Sequence, residues 1–197
     1  MDVASRDRPK YNLHSNGDDV SDQAPTLTID KTWDGEAIPD EERATVSLRA
    51  TVDHLEISVV SPYYGDTQPD RPPGATWSLW EYEVVELFIA GPQDDYLEIE
   101  LGPHRHHLVL QLSGVRNIVE RGMRLDYTAR VSGSQWRGMA LVPWSYLPDG
   151  PYRVNAFAMH GEGDERRYLA MTPVPGDKPD FHRLGCFEEL DLPEPPN

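Results

Sequence analysis

At 197 residues the chain is long enough for one domain with a sizeable core and short for two, and its 18 prolines and 15 glycines favour turns and strands over long helices. A formal net charge of -16, with pI near 4.7, argues against phosphate-backbone and anionic-membrane partners, which need clustered Lys and Arg; a neutral or cationic ligand is accommodated more easily. Cys186 is the only cysteine, which excludes an intramolecular disulfide and a four-cysteine zinc site.

Residues 1–24 are polar, with Asn16-Gly-Asp-Asp19 and almost no apolar side chains, so a flexible arm is expected there. One domain over 25–191 and a disordered tail over 192–197 complete the expected organisation. No secretory-type apolar stretch opens the sequence, and no run reaches the length of a membrane span. A cytoplasmic protein without membrane or nucleic-acid partners is the expectation.

Period-two alternation then begins. Val46, Leu48 and Ala50, followed by Leu55, Ile57 and Val59, predict a hairpin turning near Asp53. The segment 61–74 holds four prolines and two glycines and predicts a loop, of a length that often lines a functional site. A second hairpin is expected over 84–89 and 96–101 across Gly91-Pro-Gln-Asp-Asp95. Further strands follow at 107–112, 126–131, 136–142, 152–159 and 166–171, with one helical turn after Pro143. This spacing predicts an all-β, antiparallel β-sandwich with minor helix.

On the second hairpin, Val85, Leu87, Ile89, Leu97, Ile99 and Leu101 share one face and predict the core. The other face carries Val84, Glu86, Phe88, Tyr96, Glu98 and Glu100. If Phe88 pairs with Tyr96, Glu86 stands opposite Glu98, and like charges facing each other are destabilising. Solvation, a cationic partner, or protonation of one carboxyl group through a raised pKa would each resolve the conflict. Trp77 and Trp80 lie at the loop exit, and an aromatic ring beside carboxylates is one way proteins hold sugars.

The string Leu79-Trp-Glu-Tyr-Glu-Val-Val-Glu-Leu-Phe-Ile89, followed by Tyr96-Leu-Glu-Ile-Glu-Leu101, resembles the DOMON-like superfamily and its family-9 carbohydrate-binding modules, which are β-sandwiches. The resemblance implies that Trp80 stacks on a sugar and Glu86 hydrogen-bonds to it. It also marks departures: Glu98 where those modules tend to have arginine, Phe157 where they have an amide, and Phe181 or His182 where they have a second stacking tryptophan. A closer resemblance, over roughly residues 28–190, is to an uncharacterised family of small intracellular proteins. It is carried by Leu79–Glu86, Tyr96–Leu110, Leu112–Asn117, Pro143–Tyr146, Phe157–Gly161 and Pro179–His182.

His104, His107, His160 and His182 all fall inside those strings, as does Glu83. Gly102-Pro103 could bend His104 and His107 towards Glu98 and Glu100. Carboxylates and imidazoles suit zinc or iron, but no pair has the spacing of a metal motif, so neither a metal nor a cofactor is expected. Arg116 and Arg167 could instead neutralise the glutamates.

Three functions follow. The first is a binding module for a small polar ligand, such as a sugar, using Trp80, Glu83, Glu86, Glu98, Glu100, His104, His107, Arg116, His160, Arg167, Phe181 and His182. The second is an enzyme on the same residues, with Glu86, Glu98 and His182 as acid and base. The third is a structural or protein-interaction module in which Arg–Glu pairs fill the site.

Overall fold

The computed structural model describes residues 24–192; the expected N-terminal arm and C-terminal tail lie almost entirely outside these residues. The chain runs through β1 (Thr26–Ile29), β2 (Lys31–Thr32), β3 (Ala44–Ala50), β4 (His54–Pro62), β5 (Gly74–Ala75), β6 (Val84–Ala90), β7 (Asp95–Leu101), β8 (His106–Ser113), β9 (Ile118–Arg121), β10 (Asp126–Ser132), β11 (Gln135–Pro143), β12 (Tyr152–His160), β13 (Arg167–Ala170) and β14 (Glu188–Leu190). The smaller sheet has the order β1-β3-β4-β11-β10 and the larger β2-β13-β12-β6-β7-β8-β5; β14 pairs with β12 and β9 with β8. Every pairing is antiparallel except that of β5 with β8. The all-β sandwich and all the expected strands are present, as is the turn after Pro143, at Trp144–Tyr146. The short strands β1, β2, β5, β9 and β14 were not legible, being two to four residues each.

The inter-sheet core follows the alternation. Val85, Leu87, Ile89, Leu97, Ile99 and Leu101 of the larger sheet pack with Val46, Leu48, Leu55, Ile57 and Val59 of the smaller. The buried indole of Trp136 joins them.

The larger sheet is covered on its other face too. Leu79, Val84, Phe88, Tyr96, Leu110, Phe157, Phe181 and Phe187 form a second buried cluster there. Its cover comes from the turn Leu79–Glu81 and from the C-terminal stretch, where Phe181 stacks on Phe157 with centroids 3.9 Å apart and planes 7° from parallel. The central strands β6 and β7 are therefore buried on both faces, a pattern in which polar residues no longer report solvent.

Two expectations about the second hairpin are corrected. Glu86 pairs with Glu100, and Phe88 with Glu98, while Tyr96 faces Ala90. The turn is tighter than expected, closed by the Gly91 amide on the Asp95 carbonyl at 2.8 Å, with Asp94 at φ 58°. The like-charge conflict persists with Glu100 as the direct partner. A solvated glutamate face is also overturned: Glu86, Glu98 and Glu100 are 3%, 4% and 0% exposed.

Candidate functional site

A cavity of about 350 Å³ opens over the glutamate face, between the Trp80 turn and the C-terminal stretch. Its lining includes Trp77, Trp80, Glu86, Glu98, Arg116, Phe181 and His182. Apolar contributions come from Leu110, Leu112, Ile118, Met159, Tyr168 and Pro179.

Each polar side chain is set by local structure. Trp80 sits on a single helical turn entered through Ser78, whose φ of 62° is left-handed. Arg166 staples that turn from below, donating from Nη2 to the carbonyls of Trp80 (2.7 Å) and Tyr82 (2.9 Å) and from Nη1 to that of Gly161 (2.8 Å). Trp77 meets Trp80 edge to face at 5.1 Å, and the Arg121 guanidinium lies 5.2 Å over the Trp77 ring. Glu86 is flanked in its sheet by Phe157 and Glu100, and Glu98 by Phe88 and Leu110.

A hydrogen-bond chain fixes His182. The Arg116 amide donates to Tyr96 Oη at 2.9 Å, and Tyr96 Oη lies 2.7 Å from His182 Nδ1. With its oxygen engaged by the amide, we assign the tyrosine as donor to Nδ1, which puts the proton of the neutral imidazole on Nε2. Burial lowers the His182 pKa to about 4 and pushes Tyr96 up to about 12, so both are neutral at physiological pH. His182 Nε2 stands 3.9 Å from Glu98 Oε2. That is too far for a direct hydrogen bond, and a neutral ring makes no ion pair.

The three glutamates form one unit, each offering an oxygen within 4.8 Å of the others. Burial raises all three pKa values, and mutual repulsion raises Glu86 and Glu100 further, well above the ordinary value. Glu98 reaches about 7, the neighbouring Glu100 side chain and the positive charge of Arg116 holding it below what burial alone would give. Among the described residues, Glu98 Oε2 and both Glu100 oxygens have no hydrogen-bond partner. Arg116 binds Asp180 at 2.7 Å and Arg167 binds Glu42 at 2.8 Å, so neither arginine fills the site as expected of a structural module.

The cavity thus brings together Trp80, Glu86, Glu98, Arg116, Phe181 and His182, with Glu100 directly behind. The other expected residues lie elsewhere, and strand parity is the reason. Glu83 has the parity of Val85 and accepts the amides of Tyr64 (3.2 Å) and Gly65 (3.1 Å), clamping the proline-rich loop. His107 is opposite Leu101 on the core face, against Tyr127, so the bend does not bring it to the glutamates. His104 contacts Tyr63. His160 stacks on Tyr64 at 3.5 Å, and Arg167 lies nearby with Glu42. The proline-rich loop is fastened at that edge by Asp66 on the Gly161 amide (2.6 Å) and does not line the cavity. Tyr168, Ile118 and Met159 were not foreseen as wall residues; the even phase of β8 and the odd phase of β12, which pair with Glu98 and Glu86, were signals for Leu110 and Met159, but nothing local marked Ile118 on its exposed four-residue strand.

Comparison with known proteins bears on both chain and fold. No family model matches the chain. The mouse UPF0462 protein C4orf33 homolog is 40% identical over 173 residues, covering 83% of this chain and 90% of its own length. The human UPF0462 protein C4orf33 is 38% identical, with 83% and 86% covered. Among solved structures, a candidate carbohydrate-binding protein from Bacteroides uniformis superposes with TM-score 0.66 at 12% identity, over 84% of both chains. A family-9 carbohydrate-binding module from Caldicellulosiruptor kristjanssonii, in complex with cellotriose, gives 0.52 at 12% identity, over 76% of this chain and 73% of its own. These likenesses establish a β-sandwich of the family-9 carbohydrate-binding-module type. No helix among the described residues is long and apolar enough to cross a membrane.

Proposed function

The chain belongs to the UPF0462 family, and on that footing we propose that it is a binding protein for a small polar ligand of the carbohydrate class, held in the cavity over Glu86 and Glu98. The observation that carries the reading is the pairing of aromatic walls with a spaced donor and acceptor. His182 Nε2–H and Glu98 Oε2 stand 3.9 Å apart at the floor, each able to hydrogen-bond to one ligand hydroxyl between them. Trp80 and Phe181 line the same space and offer apolar surface for the C–H face of a sugar ring. A volume of about 350 Å³ suits one or two such rings rather than a long chain. The cellotriose complex of a family-9 carbohydrate-binding module with the same fold adds to the reading.

Catalysis on the same residues is the weaker reading. Glycosidic chemistry needs carboxyl groups flanking the scissile bond, about 5–9.5 Å apart. Here the three carboxyls offer oxygens within 4.8 Å of one another, clustered at one place instead of straddling a substrate.

Calorimetric titration with mono- and disaccharides tests the proposal. Saturable binding that Trp80→Ala reduces by at least about tenfold is expected, from the loss of one stacked aromatic. Binding left unchanged by Trp80→Ala and by His182→Ala would place the ligand elsewhere and refute the site.

A further inference from the structure

The floor of the cavity is unusual in what it lacks. Among the described residues, no ion pair includes Glu86 or Glu100, and the only one to include Glu98 is the 3.9 Å approach of neutral His182. Arg166 is near Glu86, but its three guanidinium hydrogen bonds go to backbone carbonyls. Arg116 is near Glu98, but its guanidinium is committed to Asp180. Glu98 lines the cavity, its side chain is 6% exposed, and its Oε2 has no hydrogen-bond partner. Three carboxyl groups therefore meet at the floor with no cation paired to them among the described residues, and Arg116, the one Lys or Arg lining the cavity, is held on Asp180 at 2.7 Å.

We propose, building on the carbohydrate-class reading above, that the cavity selects a ligand carrying a protonated amine, seated on Glu86 and Glu98 with Glu100 behind them and aromatic rings around it, so that an amino sugar fits better than its neutral counterpart. An ammonium group is all donor, with three N–H bonds and no lone pair, which is what an acceptor-rich floor calls for. Its donors reach acceptors about 4.6 Å apart at ordinary bond lengths, within the 4.8 Å that the three carboxyl oxygens span. Trp77, Trp80, Tyr168 and Phe181 supply ring faces and edges to the same space, surroundings in which a cation is stabilised and a bare carboxylate is not. A divalent metal fits less well. Its remaining coordination positions would point at apolar walls. Arrival of the cation removes the reason for the carboxyls to hold protons, so binding releases protons to solvent.

The test compares glucosamine, N-acetylglucosamine, glucose, propylamine and Mn²⁺ by calorimetry on the full chain, in two buffers of different ionisation enthalpy. The expected result at pH 7 is that glucosamine binds about tenfold tighter than glucose or N-acetylglucosamine, with buffer-dependent heat that reports proton release. That preference should shrink at pH 5 and in Glu98→Gln and Glu86→Gln, each checked for folding by circular dichroism. Equal affinity for glucosamine and glucose overturns the inference while leaving the carbohydrate reading intact. So does a preference that survives both Gln variants. Saturable Mn²⁺ binding lost in Glu98→Gln, without amine preference, reassigns the floor to a metal and also overturns it. Folded protein that binds none of the sugars or propylamine overturns both readings.

Discussion

Replacing Glu98 by Gln should make the protein more stable, and only at neutral to alkaline pH. The carboxyl rises from its ordinary 4.5 to about 7 in the fold, chiefly through burial. A raised carboxyl pKa means that the folded state binds the proton more tightly than the unfolded chain. Its stability contribution is therefore whole below pH 4.5, is lost as pH rises through about 7, and stays lost above that. The loss amounts to about 3 kcal/mol at 1.36 kcal/mol for each pH unit between the two values. Wild-type stability alone does not report it, because His182, lowered to about 4, contributes the opposite slope between about 4 and its ordinary 6.5. The difference between wild type and Glu98→Gln cancels that term. Urea unfolding of both proteins at pH 5, 6, 7 and 8 should give near-equal stability at pH 5. By pH 8 the variant should lead by about 3 kcal/mol, or roughly 6–12 °C in Tm. A difference that is constant with pH, or a variant less stable at pH 8, would refute the account of Glu98 as a buried, unneutralised carboxyl group.

Three further outcomes separate the residues by role. Tyr96→Phe removes the hydroxyl that donates to His182 Nδ1, so imidazole ¹⁵N shifts should show Nε2–H giving way to a tautomeric mixture; an unchanged tautomer would disprove the relay. Arg166→Met strips three carbonyls of a charged donor and should cost about 3 kcal/mol in urea unfolding while loosening the Trp80 turn, seen as a change in tryptophan emission. Glu83→Ala leaves the Tyr64 and Gly65 amides unpaired and should speed subtilisin cleavage within 63–73 without altering sugar affinity; reduced affinity would return Glu83 to the binding site.

The hairpins were legible in the sequence because Val85, Leu87, Ile89 and their partners repeat with the pleat, and a period of two needs no tertiary information. Parity also sorts the site, since Glu83, His107, His160 and Arg167 share the core-facing phase of their strands and so could not meet Glu86. That consequence can be drawn from sequence once strand phases are compared. What alternation could not supply was the fate of the glutamate face. Charge along a strand ordinarily marks solvent, and only the folded chain brings the Trp80 turn and Phe181 over β6 and β7, across 100 residues of sequence, to bury it.

The register was decided in the same way, by one left-handed residue at Asp94 that shortens the turn and moves Glu100, not Glu98, opposite Glu86. The sequence by itself determined a sandwich, its core face and a cluster of acids on the reverse. Tertiary structure alone decided that those acids are dry and that Glu86 and Glu98 line an aromatic cavity, because burial depends on what lands on a surface and not on the residues that form it.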